Sequence, residues 1–341
     1  MFGLSVLKIQ SLHYFCASRG RTQPSNPFQG HMLSRIAESL YWMRRYAERA
    51  DGILRMLRIN FITSLDHNPD FSWQPTLRIF TSLSEAEIEA LAKDSDAVLR
   101  YVICSRENAN SIRNIAGRAR ENARGIQDHV TKEVWESLNA FYHKVNGIEV
   151  EKAIERKEQI VMLGELLNHC LLFFGVSDVT MPRGQGWNYM NLGKFVERGI
   201  QTADMLEARF GIINYDLNNP SDLPYWRNLL LSLSGYELYL KRYHGGLQSR
   251  NVAELAILNP EFPRSILYCT ARLDRTMHEM TQEDISNTPQ LQKIVGRLRS
   301  KVEYTDIETI SQTGLHRFLS EVRQDFIAFS TALGKTYFAY S

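Results

Sequence analysis

Helical periodicity is the feature of this sequence that most restricts its fold. Apolar or small residues recur in alternating steps of four and three at positions 36, 40, 43, 47, 50, 54, 57 and 61. Such steps keep one stripe of an α-helix turned toward a partner. A second run with similar spacing extends from Val98 to Ile126, over about eight turns. Both runs predict long amphipathic helices whose apolar stripes are buried.

Helical patterns also fill most of the remaining chain. Ser84 and Glu87 form a capping-box pattern, and Thr131 can cap a helix that ends near Gly147. Strand patterns are nearly absent, and the 10 Pro and 20 Gly lie below the roughly 17 and 24 of average usage. We therefore predict an all-α fold, a multi-helix bundle of about ten helices. Further helices are predicted at about 150–175, 188–212, 224–244, 250–258, 264–281, 289–302 and 313–338, with Gly175 and Gly211 as C-caps.

Two segments of the chain resemble each other weakly. Residues 46–49, with the sequence YAER, correspond to residues 195–198, with the sequence FVER, and apolar residues follow both at the same offset. The economical interpretation is a duplicated half-bundle, with pseudo-repeats of roughly 32–176 and 187–341 within one helical domain over 32–341. Chance similarity between amphipathic helices is the alternative.

The first 31 residues differ in character from the rest. Residues 1–17 are mildly apolar, but Lys8 and His13 interrupt them, and the apolar run and cleavage site of a secretory signal are not clear. We interpret 1–31 as a disordered or non-native N-terminal extension, with Met32 as the true beginning. An amphipathic targeting segment is the alternative. No window of about 18 consecutive apolar residues occurs, so no membrane span is expected.

Charge and cysteine content exclude further classes of protein. The 40 Lys and Arg nearly balance the 38 Asp and Glu, which removes the electrostatic case for a nucleic-acid binder. The 4 Cys are scattered, with no C-x-x-C pair. We therefore expect buried thiols without a disulfide framework, in a reducing, cytoplasmic compartment.

Adjacent Glu and Arg residues recur within the predicted helices, among them Glu48-Arg49, Arg106-Glu107 and Glu197-Arg198. Side chains of adjacent helical residues point about 100° apart, so they cannot pair with each other and each needs a partner elsewhere. Arg49 lies on an apolar flank of its helix, where an unpaired buried charge is very costly. The candidate binding or structural Glu/Arg constellation comprises Glu48, Arg49, Arg106, Glu107, Arg113, Glu197 and Arg198.

Two interpretations of this constellation are open. In the first, arginines and carboxylates from different helices form ion pairs that fix the register of the bundle. In the second, the same side chains line a polar pocket between helices that recognises a carboxylate, a phosphate or an amine. The two differ in whether the side chains pair off completely or face a solvent-connected cavity.

Motifs for several known chemistries are missing. No G-x-x-x-x-G-K-[ST] phosphate loop occurs, and Gly184-Gln185-Gly186 lacks the third glycine of a dinucleotide fingerprint. His278-Glu279 is not followed by a second histidine at the zinc spacing, and the Glu-x-x-His pairs of a di-iron bundle are missing. We therefore predict no metal site and no cofactor, and the sequence assigns no catalytic residue.

Several sequence blocks occur in a fixed order between residues 32 and 341. They are MLSRIAESLYWM at 32–43, RYAERA at 45–50, SRENA at 105–109, EVWE at 133–136, LGKFVER at 192–198 and FPRS at 262–265. This arrangement resembles the bacterial alpha-E domain family. One departure follows the second Glu-Arg pair, where similar proteins often continue with Ala and an acidic residue and this chain has Gly199 and Ile200.

The resemblance implies an all-helical domain of unknown biochemical function, named for its Glu-Arg motif. Genes of the family tend to accompany circularly permuted ATP-grasp proteins and transglutaminase-like proteins, which implies a system that forms peptide or amide bonds. One hypothesis is therefore an accessory protein, a scaffold or substrate binder for an ATP-grasp ligase. The other is an enzyme whose Glu/Arg pocket acts on an amide or carboxylate substrate. A homo-oligomer is compatible with both.

Overall fold

The computed structural model describes residues 32–66, 71–218, 224–283 and 289–338. The extension predicted for 1–31 lies outside these residues. The described ranges contain sixteen α-helices and no strand, so the all-α prediction is confirmed and the expected number of helices was too low. In chain order the helices are α1 (Ser34–Leu65), α2 (Gln74–Phe80), α3 (Glu85–Leu91), α4 (Ser95–Leu99), α5 (Ile112–Arg124), α6 (Lys132–Asn146), α7 (Ile148–Glu155), α8 (Gln159–Thr180), α9 (Gln185–Phe210), α10 (Pro224–Ser232), α11 (Tyr236–Arg242), α12 (Ser249–Leu258), α13 (Ile266–Glu283), α14 (Pro289–Glu303), α15 (Ile307–Thr313) and α16 (Leu315–Tyr337).

Eight of these helices form two four-helix groups. In the first, α1 packs on α5, α5 on α6, α6 on α8, and α8 returns to α1. In the second, α9 packs on α13, α13 on α14, α14 on α16, and α16 returns to α9. The groups are joined where α1 packs against α9. The two groups share this packing order, and the duplication of a half-bundle stays a prediction.

Helix α1 is the central element because other helices cover most of its circumference. It contacts α9 on one side and α5 and α8 on others. Every position of the apolar stripe between Ile36 and Phe61 is buried, as its spacing predicts. Burying a large apolar side chain contributes about 1.5–3 kcal/mol, so this stripe supplies much of the force that holds α1 in place.

Helix α9 approaches its neighbours closely at two glycines. A Cβ added at Gly193 would lie 2.3 Å from the carbonyl oxygen of Tyr41 in α1. A Cβ added at Gly199 would lie 2.1 Å from Cζ of Phe326 in α16. Any side chain at Gly193 would push α9 away from α1. Gly199, where the sequence departs from similar proteins, makes room for the Phe326 ring.

The periodicity of the run from Val98 to Ile126 predicted one continuous helix, and this prediction is wrong. A π-helical turn at Arg100–Cys104 follows α4, and residues 105–111 are irregular before α5 begins. The hydroxyl of Ser105 accepts hydrogen bonds from the backbone N–H groups of Glu107 and Asn108, both at 3.1 Å. Side chains that satisfy backbone groups in this way compete with helix continuation. Ser111 then caps the new helix.

Other helix ends were predicted with mixed success. The capping box at Ser84 and the cap at Thr131 are confirmed, and Gly211 is the C-cap of α9. Gly175 instead lies inside α8 and caps nothing. The helices predicted at 150–175 and 224–244 are each divided in two. Lys157 and Ser234 adopt left-handed backbone conformations at the two breaks, with φ of 61° and 57°.

Among the described residues, α8 is the one helix long and apolar enough to cross a membrane by length and composition. One face of α8 packs against α1 and α6, and the opposite face exposes Val161, Leu172 and Val179. Buried core helices pass the same test, so one such helix is weak evidence for a membrane span.

Candidate functional site

Two adjacent Glu-Arg pairs meet at the contact between α1 and α9. Glu48 and Arg49 lie near the middle of α1, and Glu197 and Arg198 lie near the middle of α9. Neither glutamate can reach the arginine next to it, because neighbouring side chains on a helix diverge. Each glutamate instead binds the arginine of the other helix. We call these four residues the Glu/Arg centre.

Both cross-helix ion pairs are bidentate. Arg49 donates from Nε to Oε1 of Glu197 at 2.6 Å and from Nη2 to Oε2 at 3.0 Å. Arg198 donates from Nε to Oε2 of Glu48 at 2.8 Å and from Nη2 to Oε1 at 3.1 Å. Two parallel hydrogen bonds fix an orientation as well as a distance. The two pairs therefore specify how α1 and α9 lie against each other.

A second arginine completes the surroundings of each carboxylate. Arg45 donates from Nε to Oε2 of Glu197 at 2.9 Å. Arg44 donates from Nη2 to Oε1 of Glu48 at 3.3 Å, and its guanidinium lies 4.3 Å from the ring centre of Phe174. Each carboxylate thus faces two arginines, and both oxygens of each accept hydrogen bonds from them.

The two glutamates of the Glu/Arg centre are buried, and this affects their pKa values. Glu48 is 0% exposed and Glu197 is 2% exposed. Burial alone would raise the pKa of Glu48, but Arg198 and Arg44 outweigh it and bring that pKa down to about 2. Burial and the opposing effect of Arg49 and Arg45 leave the pKa of Glu197 at about 2 as well. Both carboxylates are therefore ionised at neutral pH and poorly suited to exchanging protons with a substrate.

A third acidic side chain extends the Glu/Arg centre toward α13. Asp51 lies one turn after Glu48 on α1, is fully buried, and accepts hydrogen bonds from Arg264 and from Arg55, the latter at 2.9 Å. Arg264 belongs to the turn that precedes α13. Sequence reasoning had left Arg264 out of the constellation. The signals that point to it are the FPRS block and the position of Asp51 on the stripe of Glu48.

The remaining residues of the predicted constellation lie outside the Glu/Arg centre. They are Arg106, Glu107 and Arg113. Arg106 and Glu107 are exposed in the irregular segment 105–111, so the expectation that they lie within a helix is wrong. Arg113 donates to the carbonyl oxygen of Cys104 at 2.9 Å and pairs with Glu151 at 3.4 Å. The same segment still touches the centre, because Nη1 of Arg49 donates to Oδ1 of Asn110 at 3.3 Å.

Lys194 lies one turn before Arg198 on α9 and was not among the predicted site residues. Burial and the positive charges of Arg198 and Arg44 together lower the pKa of Lys194 from 10.5 to about 7, and the opposing effect of Glu48 is smaller. Its ammonium group lies 5.0 Å from the ring centre of Phe195. Lys194 occupies the position that corresponds to Arg45 in the weak internal repeat, but it forms no ion pair with Glu48.

Metal-binding and thiol groups contribute nothing to this centre. In the ranges that the structure covers, no group of three or more His, Cys, Asp or Glu could hold a metal ion. Cys104, Cys170 and Cys269 are buried and unpaired by disulfides. Burial raises the pKa of the Cys104 thiol to about 11 and that of Cys269 to about 12, which makes both poor nucleophiles near neutral pH.

A family model covers nearly all of the described chain. It is described as "Alpha-E: A predicted alpha-helical domain with a conserved ER motif", and it matches residues 32–338. The chain is also similar to an uncharacterized protein of Mycobacterium bovis and to two uncharacterized proteins of Mycobacterium tuberculosis. Each is 21% identical over 322 residues, covering 84% of this chain and 34% of the relative. The chain thus spans about a third of these relatives' length. No solved structure is significantly similar to it.

Proposed function

The chain belongs to the Alpha-E family of helical domains, and from that premise we propose that it is an accessory protein that acts with an ATP-grasp ligase. The pathway would form peptide or amide bonds, and the chain would serve it as a scaffold or as a binder of substrate. Its partners would be a circularly permuted ATP-grasp protein and a transglutaminase-like protein. Because the ligase consumes ATP, the proposal places the chain in the cytoplasm.

The observation that carries this proposal is the closure of the Glu/Arg centre. Glu48 and Glu197 are buried, and the carboxylate of each accepts hydrogen bonds from two arginines. A general acid or base works best when its pKa lies near the operating pH, whereas both carboxylates have a pKa of about 2. The geometry therefore favours a structural role for the family's Glu-Arg motif over the alternative of an enzyme acting in a Glu/Arg pocket.

The length of the relatives supports a role beside other protein domains. The mycobacterial relatives carry this region within chains about three times as long. That the partner is an ATP-grasp ligase rests on the family resemblance.

Co-purification tests the proposed partnership. The chain is co-expressed with a circularly permuted ATP-grasp protein, and the mixture is analysed by size-exclusion chromatography with light scattering. We expect a complex that persists at micromolar concentration. A folded chain that elutes alone or only as its own oligomer at that concentration would contradict the proposal. Circular dichroism of the purified chain confirms that it is folded in either case.

A further inference from the structure

A cleft lies between the first turns of α9 and the middle of α13. Its volume is about 470 Å³, within the range of about 300–1,000 Å³ that is usual for small-molecule sites. The side chains that give it its chemical character are Arg183, Arg272, Arg275, Asn188, Asn191 and Glu279. None of these belongs to the ion pairs that join α1 to α9.

Positive charge predominates in the cleft. Of its three arginines, Arg183 pairs with Asp178 at 3.0 Å and Arg275 pairs with Glu279 at 2.9 Å. The side chain of Arg272 has no carboxylate or hydrogen-bond partner among the described residues, and its buried Nε donates to nothing. Its guanidinium lies 5.7 Å from the ring centre of Phe195. The Nη donors of Arg272 are thus unpaired and are not sealed from solvent, whereas its Nε is buried.

Two amide side chains open onto the cleft. Asn188 and Asn191 lie one turn apart on α9, line the cleft, and are only 6% and 8% exposed. Their side chains make no hydrogen bond to any described group, and their amide atoms are not sealed from solvent, because both side chains open onto the cleft. The two amides are therefore free to bind a polar molecule that enters the cleft.

We propose that this cleft binds a small anion that carries a carboxylate or a phosphate group. The guanidinium of Arg272 offers the planar fork that binds either group in a bidentate manner. The amides of Asn188 and Asn191 supply further N–H donors. The cleft also borders the first turn of α9, whose positive end of the helix dipole favours an anion. This inference goes beyond the proposed function, because it needs no ligase.

Lys194 supports the same assignment from a neighbouring position. It follows Asn191 by one turn on α9, and Arg272 is among the positive charges that lower its pKa. An anion in the cleft would offset this repulsion and raise the pKa of Lys194. Binding near pH 7 is therefore expected to take up protons, which calorimetry in buffers of different ionisation enthalpy detects.

Calorimetric titration of the isolated chain tests the proposal. The probes are pyrophosphate for the phosphate source and citrate for the carboxylate source, both at pH 7 and low ionic strength. Dissociation constants below about 1 mM are expected for one or both, and the tighter probe identifies the preferred group. No binding of either probe to the folded chain would overturn the proposal. Since no ligase is present, that result would leave the proposed partnership standing.

Matched variants assign the binding to the cleft. Arg272→Gln should weaken the tighter probe at least about tenfold, as expected for loss of one bidentate contact. The control is Arg317→Gln on α16, which removes an arginine that is 76% exposed, lies outside the cleft and pairs with a glutamate four residues on. This control should bind like the wild type. Equal affinities for the two variants would overturn the proposal.

A second variant separates binding from folding. Asn191→Leu replaces an unpaired buried amide by an apolar side chain of similar size. If the amide serves a ligand, this variant should unfold at the same or a higher temperature than the wild type and bind the probe at least about tenfold more weakly. A variant that loses thermal stability while binding the probe normally would show a structural amide and overturn the assignment.

Discussion

Glu48 and Glu197 keep their charges in the interior because arginines from both helices surround each carboxylate. The pairing is reciprocal, since the arginine beside each glutamate serves the glutamate of the other helix. The Glu-Arg pair on α1 and the Glu-Arg pair on α9 thus balance each other's charges.

Removing one carboxylate should destabilise the protein strongly. Glu197→Gln leaves Arg45 and Arg49 without their shared partner, and a broken buried ion pair costs about 3–5 kcal/mol of unfolding free energy. Glu107→Gln is the control, because Glu107 is exposed, and its effect should stay within about 0.5 kcal/mol. Urea denaturation at pH 7 measures both. Similar small losses for the two variants would contradict a structural Glu/Arg centre.

Replacing Lys194 should stabilise the protein, whereas replacing Glu197 should destabilise it. The folded protein lowers the pKa of Lys194 from 10.5 to about 7, so the unfolded chain binds this proton more tightly. Lys194 therefore opposes folding most below pH 7, and this effect fades as the pH rises from 7 to 10.5. Lys194→Met should raise the unfolding free energy at pH 7 by about 1–3 kcal/mol.

A pH series of denaturation curves checks this prediction for Lys194. The difference between Lys194→Met and the wild type should shrink toward zero as the pH approaches 10.5. A difference that is independent of pH would contradict the assigned pKa. A stabilising substitution at this position is consistent with a residue retained for anion binding, because functional sites often lower stability.

Sequence reasoning predicted the members of the centre only in part. The divergence of adjacent side chains required Glu48, Arg49, Glu197 and Arg198 to find partners elsewhere, and the structure provides them. The same reasoning failed for Arg106 and Glu107 because it assumed a continuous helix. That helix ends where the backbone N–H groups of Glu107 and Asn108 donate hydrogen bonds to the Ser105 hydroxyl, and the spacing of apolar residues gives no sign of these bonds. Which arginine meets which carboxylate depends on how the helices pack, and the spacing of residues along a single sequence does not show that packing.

At the scale of helices, the close contact of α1 and α9 should be sensitive to single methyl groups. Gly193→Ala would place Cβ 2.3 Å from the Tyr41 carbonyl oxygen, so the helices must separate, at a cost of about 1–3 kcal/mol. Gly164→Ala on α8 meets nothing within 4 Å and should gain about 0.5–1 kcal/mol from better helix propensity. Thermal unfolding monitored by circular dichroism compares the two. A stabilising Gly193→Ala would contradict the close packing of α1 and α9.

Long helices were predicted better than their boundaries. The apolar stripe of α1 is buried throughout, because the apolar face of an amphipathic helix packs against the core. The number of helices was underestimated because breaks fall at residues that give no turn signal. Lys157 and Ser234 take left-handed conformations that glycine or asparagine usually occupies. Gly175 was mistaken for a C-cap, although α8 continues past it.

At the scale of the whole molecule, two four-helix groups share one charged contact. The α1–α9 pair is the place where the groups meet, so the Glu/Arg centre contributes to their cohesion. A buried ionic contact is sensitive to pH in a way that an apolar contact is not. Acid should therefore weaken the molecule through this contact.

The pKa values of Glu48 and Glu197 define the pH range in which acid should weaken the molecule. Both pKa values are lowered from 4.5 to about 2, so the stability that they contribute is complete above pH 4.5 and is lost as the pH falls from 4.5 to 2. The difference in unfolding free energy between the wild type and Glu197→Gln should accordingly shrink over that range. Urea denaturation at pH 6, 4 and 3 measures it. A difference that stays constant would contradict the assigned ionisation.

The most direct test of the central claim is a double-mutant cycle between Glu48 and Arg198. The variants are Glu48→Gln, Arg198→Met and their combination, and urea denaturation at pH 7 gives the three changes in unfolding free energy. If the Glu-Arg pairs tie α1 to α9, the two residues should show a favourable coupling of about 2 kcal/mol or more. A coupling below about 0.5 kcal/mol would contradict the claim, because the two side chains would then contribute independently of each other.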